Sequence, residues 1–188
     1  MYKTVYLKKG KEESLGRFHP WVFSGAIHHI DGRPEEGDVV RVVNADGRFL
    51  AVGHIQIGSI AVRVLSFEDI IIGKSFWEER LNAAYNVRKS IFNSQLASSL
   101  QDNIQQTNAF RLVHGEGDGL PGLVIDIYNR TAVMQAHSVG MHVSRRDIAD
   151  ALAKVLDGVV DNIYYKSETT LAYKASEDGG NGFLKGSL

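Results

Sequence analysis

The chain contains no cysteine. Disulfides, thiolate metal ligands and a thiol nucleophile are therefore excluded, and the absence fits a reducing, cytoplasmic setting. No apolar run approaches the roughly 18 residues that suggest a membrane span. The opening MYKTVYLKKGKEE is charged and lacks the apolar core of a secretory signal. Neither sign of charge dominates: the formal net charge is −1, with nine Lys/Arg against nine Asp/Glu in residues 1–73 and twelve against thirteen in residues 74–188. A field attracting polyanions over the whole surface is excluded, so any nucleic-acid site is a local patch. The metalloprotease pattern H-E-x-x-H and the nucleophile elbow G-x-S-x-G are also missing. His114-Gly115-Glu116 supplies the H-x-E half of a nucleobase deaminase, but the P-C-x-x-C half cannot exist here.

Gly117-Asp118-Gly119-Leu120-Pro121-Gly122 has the letters of the dinucleotide-binding fingerprint. That fingerprint works where the glycine turn opens a helix whose N–H groups meet a pyrophosphate. The following Leu123-Val124-Ile125-Asp126-Ile127-Tyr128 is short, apolar and rich in β-branched residues, so it reads as a strand. About 20 residues further on, where a ribose-binding carboxylate belongs, the chain reads Gly140-Met141-His142. A turn between two strands is the better reading. Asp118 before Gly119 is ordinary turn chemistry, and Glu116 can accept from free turn N–H groups.

At 188 residues the chain suits one or two domains. Residues 1–73 read as short strands: Val5-Tyr6-Leu7, residues 38–43 after the Pro34-Glu35-Glu36-Gly37 turn, residues 48–57 after the hairpin signal Asn44-Ala45-Asp46-Gly47, and residues 59–66. In the last of these, alternation sets Arg63 on the face opposite Val62 and Val64. Such spacing suggests a small β-barrel. The one helical candidate there is His19-Pro20-Trp21-Val22-Phe23-Ser24, where proline suits a first helical turn.

From residue 74 the character changes. Ser75-Phe76-Trp77-Glu78 has capping-box spacing, and Trp77, Leu81, Ala84, Tyr85, Arg88, Ile91 and Phe92 recur helically, predicting a helix over 76–96. A polar stretch at 94–108 reads as a helix tail or connection. Strands are expected at 109–114, 123–128 and 131–137. A second amphipathic helix carries Ile148, Ala151, Leu152, Val155 and Leu156, with Ser144 as cap and Gly158 as stop. Another strand follows at 159–166. Residues 176–182 form a turn-rich connector with only FLKGSL beyond, which suggests that the natural protein continues. The expected class is α+β: a barrel over 1–73, then a small α/β domain over 74–188.

Seven histidines show no metal-binding spacing, since His28 and His29 are adjacent and His137 and His142 straddle a strand end. The remaining constellation is Arg17-Phe18-His19-Pro20-Trp21-Val22-Phe23-Ser24-Gly25, which mixes rings with donors as stacking and phosphate contact with RNA require. Trp21 and Phe23 are read as barrel core, and Arg17, His19 and Ser24 as surface contacts. Lys3, Lys8, Lys9, Lys11 and Arg17, facing only Glu12 and Glu13, form a locally basic arm.

HPWVFSGAI at residues 19–27, EGDGLPGLVIDIY at 116–128 and NGFLKG at 181–186 resemble the RlmI-type S-adenosylmethionine-dependent methyltransferases, which modify C5 of cytosine in 23S ribosomal RNA. The resemblance covers essentially the whole chain. It implies an N-terminal PUA-like β-barrel, a middle EEHEE-type domain and a Rossmann-like methyltransferase domain that is absent here. Activation of cytosine C5 uses a thiolate, so no catalytic or cofactor-binding residue carries over; the methyl donor belongs to the full-length parent, and this chain alone is expected to be inactive. What carries over is docking of large-subunit ribosomal RNA, for which Lys8, Lys9, Lys11, Arg17, His19, Ser24 and Arg63 are the candidates. The glycine turn is expected to face the missing domain or the substrate. Two alternatives stay open: a stand-alone structural or homodimerising module, and a small-molecule enzyme using the turn at residues 117–122.

Overall fold

The computed structural model describes residues 2–99, 108–171 and 180–187. Eleven strands form two sheets among the described residues, each with its own core. The first sheet has the order β2-β6-β5-β4-β1-β3, from β1 (Lys3–Leu7), β2 (Trp21–Phe23), β3 (Ile27–Asp31), β4 (Val39–Val43), β5 (Phe49–Ile55) and β6 (Ile60–Ser66). Only β1 and β4 run parallel, and the rest are antiparallel. Alternation decides the inner face: Val5 and Leu7, Val40 and Val42, Val62 and Val64 are buried together with Leu15 of the short helix α1 (Glu13–Gly16).

The second sheet has the order β11-β10-β9-β8-β7, from β7 (Ala109–His114), β8 (Leu123–Tyr128), β9 (Thr131–Ala136), β10 (Asn162–Tyr165) and β11 (Gly182–Lys185). Leu123, Ile125 and Ile127 alternate with half-buried or exposed neighbours along β8, as Ala132, Met134 and Ala136 do along β9. They pack on helix α2 (Lys74–Ser99) through Trp77, Leu81 and Ala84, and on α4 (Arg145–Val155) through Ile148 and Leu152. The parallel pair β9 and β10 is linked by α3 (Val139–Val143) and α4, and β8-β9-helices-β10-β11 gives the strand-strand-helix-strand-strand order, with β7 added at the edge. The molecule is a mixed α/β protein in which a curled, PUA-like sheet precedes a small α/β region.

Several elements differ from expectation. Residues 21–23 form an edge strand, because Trp-Val-Phe pairs with β6, while Pro20 precedes the strand and needs no donor there. Helix α2 starts at Lys74, so Ser75 lies within its first turn. Ser144 makes no side-chain cap, whereas Ser138 caps α3 through Met141 N–H at 3.4 Å. Phe183 and its neighbours are an edge strand on β10, where the sequence showed only a remnant beyond a connector. Residues 100–107 of the polar stretch and 176–179 of the connector lie outside the described residues.

The two units meet along a seam. His54 of β5 is 2% exposed, stacks on Trp77 of α2 at 6.2 Å between centroids, and has Nε2 3.4 Å from Ser144 Oγ. Its Nδ1 has no hydrogen-bond partner among the described residues. Burial, which opposes the charged ring, lowers its pKa to about 4. The unfolded chain, with an ordinary pKa near 6.5, binds this proton first as pH falls. Stability is therefore complete above about pH 6.5 and declines down to about pH 4, by at most about 3 kcal/mol. Thermal melts at half-unit pH steps should show this slope in the parent and lose it in His54→Leu. Asp38, Asp118 and Asp161, all held low, contribute their losses only at more acid pH.

Candidate nucleic-acid interface

Three strands bring one row of polar side chains to the outer face of the first sheet. Arg63 of β6 lies opposite Trp21 of β2 on one side and His54 of β5 on the other. Directly opposed residues share a face, so His54, Arg63 and Trp21 form a row running from the seam outward. At the inner end the second unit covers His54. At the outer end a register shift between Val22 and Phe23 re-aims the strand, leaving Phe23 49% exposed. Val22 alone of this strand enters the core. The expectation that Trp21 and Phe23 are core is corrected: their face looks outward, and the half-buried Trp21 is covered at the seam.

The rings of His19, Trp21 and Phe23 touch pairwise, with centroids 5.6, 6.2 and 6.3 Å apart and the Trp21 ring nearly perpendicular to both others. Trp21 is fixed from two sides. Its backbone N–H donates to His19 Nδ1 at 3.2 Å, and its indole N–H donates to Glu116 Oε1 at 2.9 Å. Glu116 belongs to the 3-10 turn at Gly115–Asp118 that follows β7, so this turn meets the first unit at Trp21. Arg63 is half-buried beside it. Burial depresses its pKa and the Glu116 charge opposes that shift, while Nη1 donates to Gln56 Oε1 at 3.3 Å. The same oxygen accepts from Val139 N–H at 3.3 Å, which ties α3 to the row.

Asp118 makes the turn rigid. It accepts paired hydrogen bonds from Arg88 of α2, Nη2 to Oδ2 at 2.8 Å, and one from His114 N–H at 2.6 Å. Burial pushes its carboxyl up, but the Arg88 hydrogen bonds, the His114 N–H and the Arg88 charge outweigh this and hold it below the usual carboxylate range. Gly122 has φ +86°, and a Cβ there would stand 2.6 Å from Ser138 Oγ. The turn closes onto β8 and β9 rather than opening a helix, and Gly122 faces space filled by Ser138 while Gly117 faces open space. These residues do not fit S-adenosylmethionine: Asp118 is committed to Arg88, one Glu116 oxygen to Trp21, and no helix N-terminus follows the glycines.

Of the candidates read from the sequence, the structure brings His19 and Arg63 to Trp21. Lys8 donates to Gly25 O at 2.9 Å, beside exposed Ser24, so these two share the other end of β2. Lys9, Lys11 and Arg17 are exposed before and after α1. Phe18 was not singled out individually: φ of +60° turns the chain from α1 towards β2 and leaves the ring 72% exposed, edge-on to Phe67 at 5.1 Å. The sequence marks Glu116 as a turn carboxylate and half of a deaminase-like pattern, not as a partner of Trp21, and gives no role to His54 or Gln56. A signal for His54 existed in the unbroken apolar run Leu50-Ala51-Val52-Gly53, which implies a strand covered on both faces.

Residues 5–67 match the family model described as a PUA-like domain. The whole chain is 32% identical, over 189 residues, to ribosomal RNA large subunit methyltransferase I of Vibrio vulnificus, and spans 45% of that relative. It is 35% identical over 188 residues to the protein of the same name from Alteromonas mediterranea, covering 99% of this chain and 44% of the relative. The chain thus spans less than half the length of the curated relatives it matches. Among solved structures, a candidate SAM-dependent methyltransferase from Streptococcus mutans superposes with a TM-score of 0.74 at 16% identity, over 98% of this chain and 43% of that one. A candidate methyltransferase complexed with SAH gives 0.70 at 17% identity, over 87% and 40%. These two likenesses concern the fold.

Proposed function

We propose that this chain, a relative of the ribosomal RNA large subunit methyltransferase I proteins that carries a PUA-like domain, docks large-subunit ribosomal RNA through the outer edge around β2. Methyl transfer, with S-adenosylmethionine as donor, falls to polypeptide outside the two units described. The working division is a docking unit over residues 1–73 and a middle unit over 74–188.

The observation that carries this reading is the exposed edge itself. The rings of Phe23, Trp21 and His19 form one cluster, Arg63 lies opposite Trp21 on β6, and Lys8 and Ser24 stand at the far end of β2. Rings supply stacking and cations supply phosphate contact, the pairing that single-stranded nucleic acid requires. A balanced net charge makes this a local grip rather than a general attraction.

Binding of a labelled large-subunit rRNA fragment, followed at 50–300 mM salt, tests it. Affinity should fall steeply with salt, and combined Lys8→Ala, Lys9→Ala, Lys11→Ala and Arg17→Ala should weaken binding at least about 10-fold at low salt and flatten the slope by roughly 0.7–0.9 per lost phosphate contact. Unchanged affinity and slope in that variant would overturn the proposal. Titration of S-adenosylmethionine into the chain should give no heat of binding.

A further inference from the structure

We infer that the contiguous rings of His19, Trp21 and Phe23, with Glu116 at their edge, seat one unpaired nucleobase that carries an amino group, so that the docked RNA is single-stranded at this point. The inference rests on the docking reading above and specifies what lies at its centre.

The geometry narrows the occupant. Three rings about 6 Å apart are in mutual contact, so they enclose no cage for a cation. What they offer is an outer surface. Phe23 presents an exposed ring, held against Trp21, whose two N–H groups are both engaged. A platform fixed in advance loses little side-chain entropy on binding. A flat, weakly hydrated partner suits it, and a base within a duplex is already stacked on its neighbours, leaving no free face.

Glu116 sets the edge chemistry. One oxygen accepts from Trp21, yet a carboxylate has about four acceptor sites, and this side chain is exposed. It accepts the exocyclic amino hydrogen of cytosine, adenine or guanine. The uracil edge sets carbonyl oxygens beside the carboxylate and is disfavoured. Arg63, in the row behind Trp21, neutralises the carboxylate as the strand's own phosphates approach.

The test uses the full chain and four labelled RNA probes at fixed salt: oligo(C), oligo(A), oligo(U) and a hairpin duplex of matching length. Oligo(C) and oligo(A) should bind at least 5-fold tighter than the duplex and severalfold tighter than oligo(U). Phe23→Ala should weaken oligo(C) about 5- to 100-fold, as loss of one stacked base does, without altering the salt slope. Glu116→Gln keeps an acceptor for Trp21 and should abolish the preference over oligo(U), lowering oligo(C) and oligo(A) affinity while raising that for oligo(U), because the amide N–H groups meet the uracil carbonyls. Thermal melts confirm folding of both variants. Duplex binding equal to that of single strands, or Phe23→Ala equal to the parent, overturns the seat even where salt-dependent docking stands. Salt-independent RNA binding removes the docking reading instead.

Discussion

Gly140→Ala unfolds at a temperature about 2–12 °C below the parent. Gly140 sits in α3, and a Cβ built on it overlaps the His54 imidazole through Cβ, Cγ and Nδ1 alike. The ring cannot retreat, being packed on Trp77 and 2% exposed. Overpacking a filled interior costs about 1–3 kcal/mol and more where neighbours are immobile, and in a chain of this size each kcal/mol shifts the midpoint about 2–4 °C. The clash is specific to one partner, which makes a cycle informative. His54→Ala alone is destabilising through its cavity, but Gly140→Ala added to it should cost far less than in the parent, a coupling of about 1–3 kcal/mol. Additive midpoints in thermal melts would mean that the two units do not meet as described.

Asp118→Ala should lower the urea midpoint by an amount corresponding to about 3–4 kcal/mol. The variant strands the Arg88 guanidinium, of which 18% is exposed, without the carboxylate that pairs it. Breaking a buried pair from one side costs about 3–5 kcal/mol, because the surviving charge stays desolvated. The same change frees His114 N–H, so the turn carrying Glu116 loosens and RNA affinity should fall with stability. Asp161→Ala is the control. Its pair with Arg130 is half exposed on both sides, and solvent replaces such partners readily, so its midpoint should coincide with that of the parent.

The sequence made most strands legible, because a half-buried strand writes its facing into alternate residues. The segments 38–43 and 59–66 did so, 123–128 was marked instead by its β-branched and aromatic residues, and α2 and α4 showed helical spacing. Trp21-Val22-Phe23 is apolar throughout and writes no alternation, and Pro20 lent itself equally to a helix start and to the head of an edge strand. Pairing with β6 decided between them, and that partner lies about 40 residues away. Strand β11 was missed for a similar reason: four residues, Gly-Phe-Leu-Lys, have no period of their own and become a strand only beside β10. The four-residue α1 was too short to announce itself.

At the candidate site, the residue types were readable but their exposure was not. Aromatic residues in a small barrel are usually core, and only the shift between Val22 and Phe23 turns one of them outward. Glu116 was visible as a turn carboxylate, but nothing local says that it reaches an indole 95 residues earlier. Long-range partners of this kind are set by tertiary packing.

The row from His54 to Trp21 also governs how the halves of the molecule can move. Its inner end is clamped under α3 and its outer end is bonded to the glycine turn, so the two sheets share two separated points of attachment rather than one. A single attachment is a pivot; two make a splice. On the proposed docking role, RNA taken at β2 would therefore be held at one bearing with respect to β7–β11 and arrive already aimed.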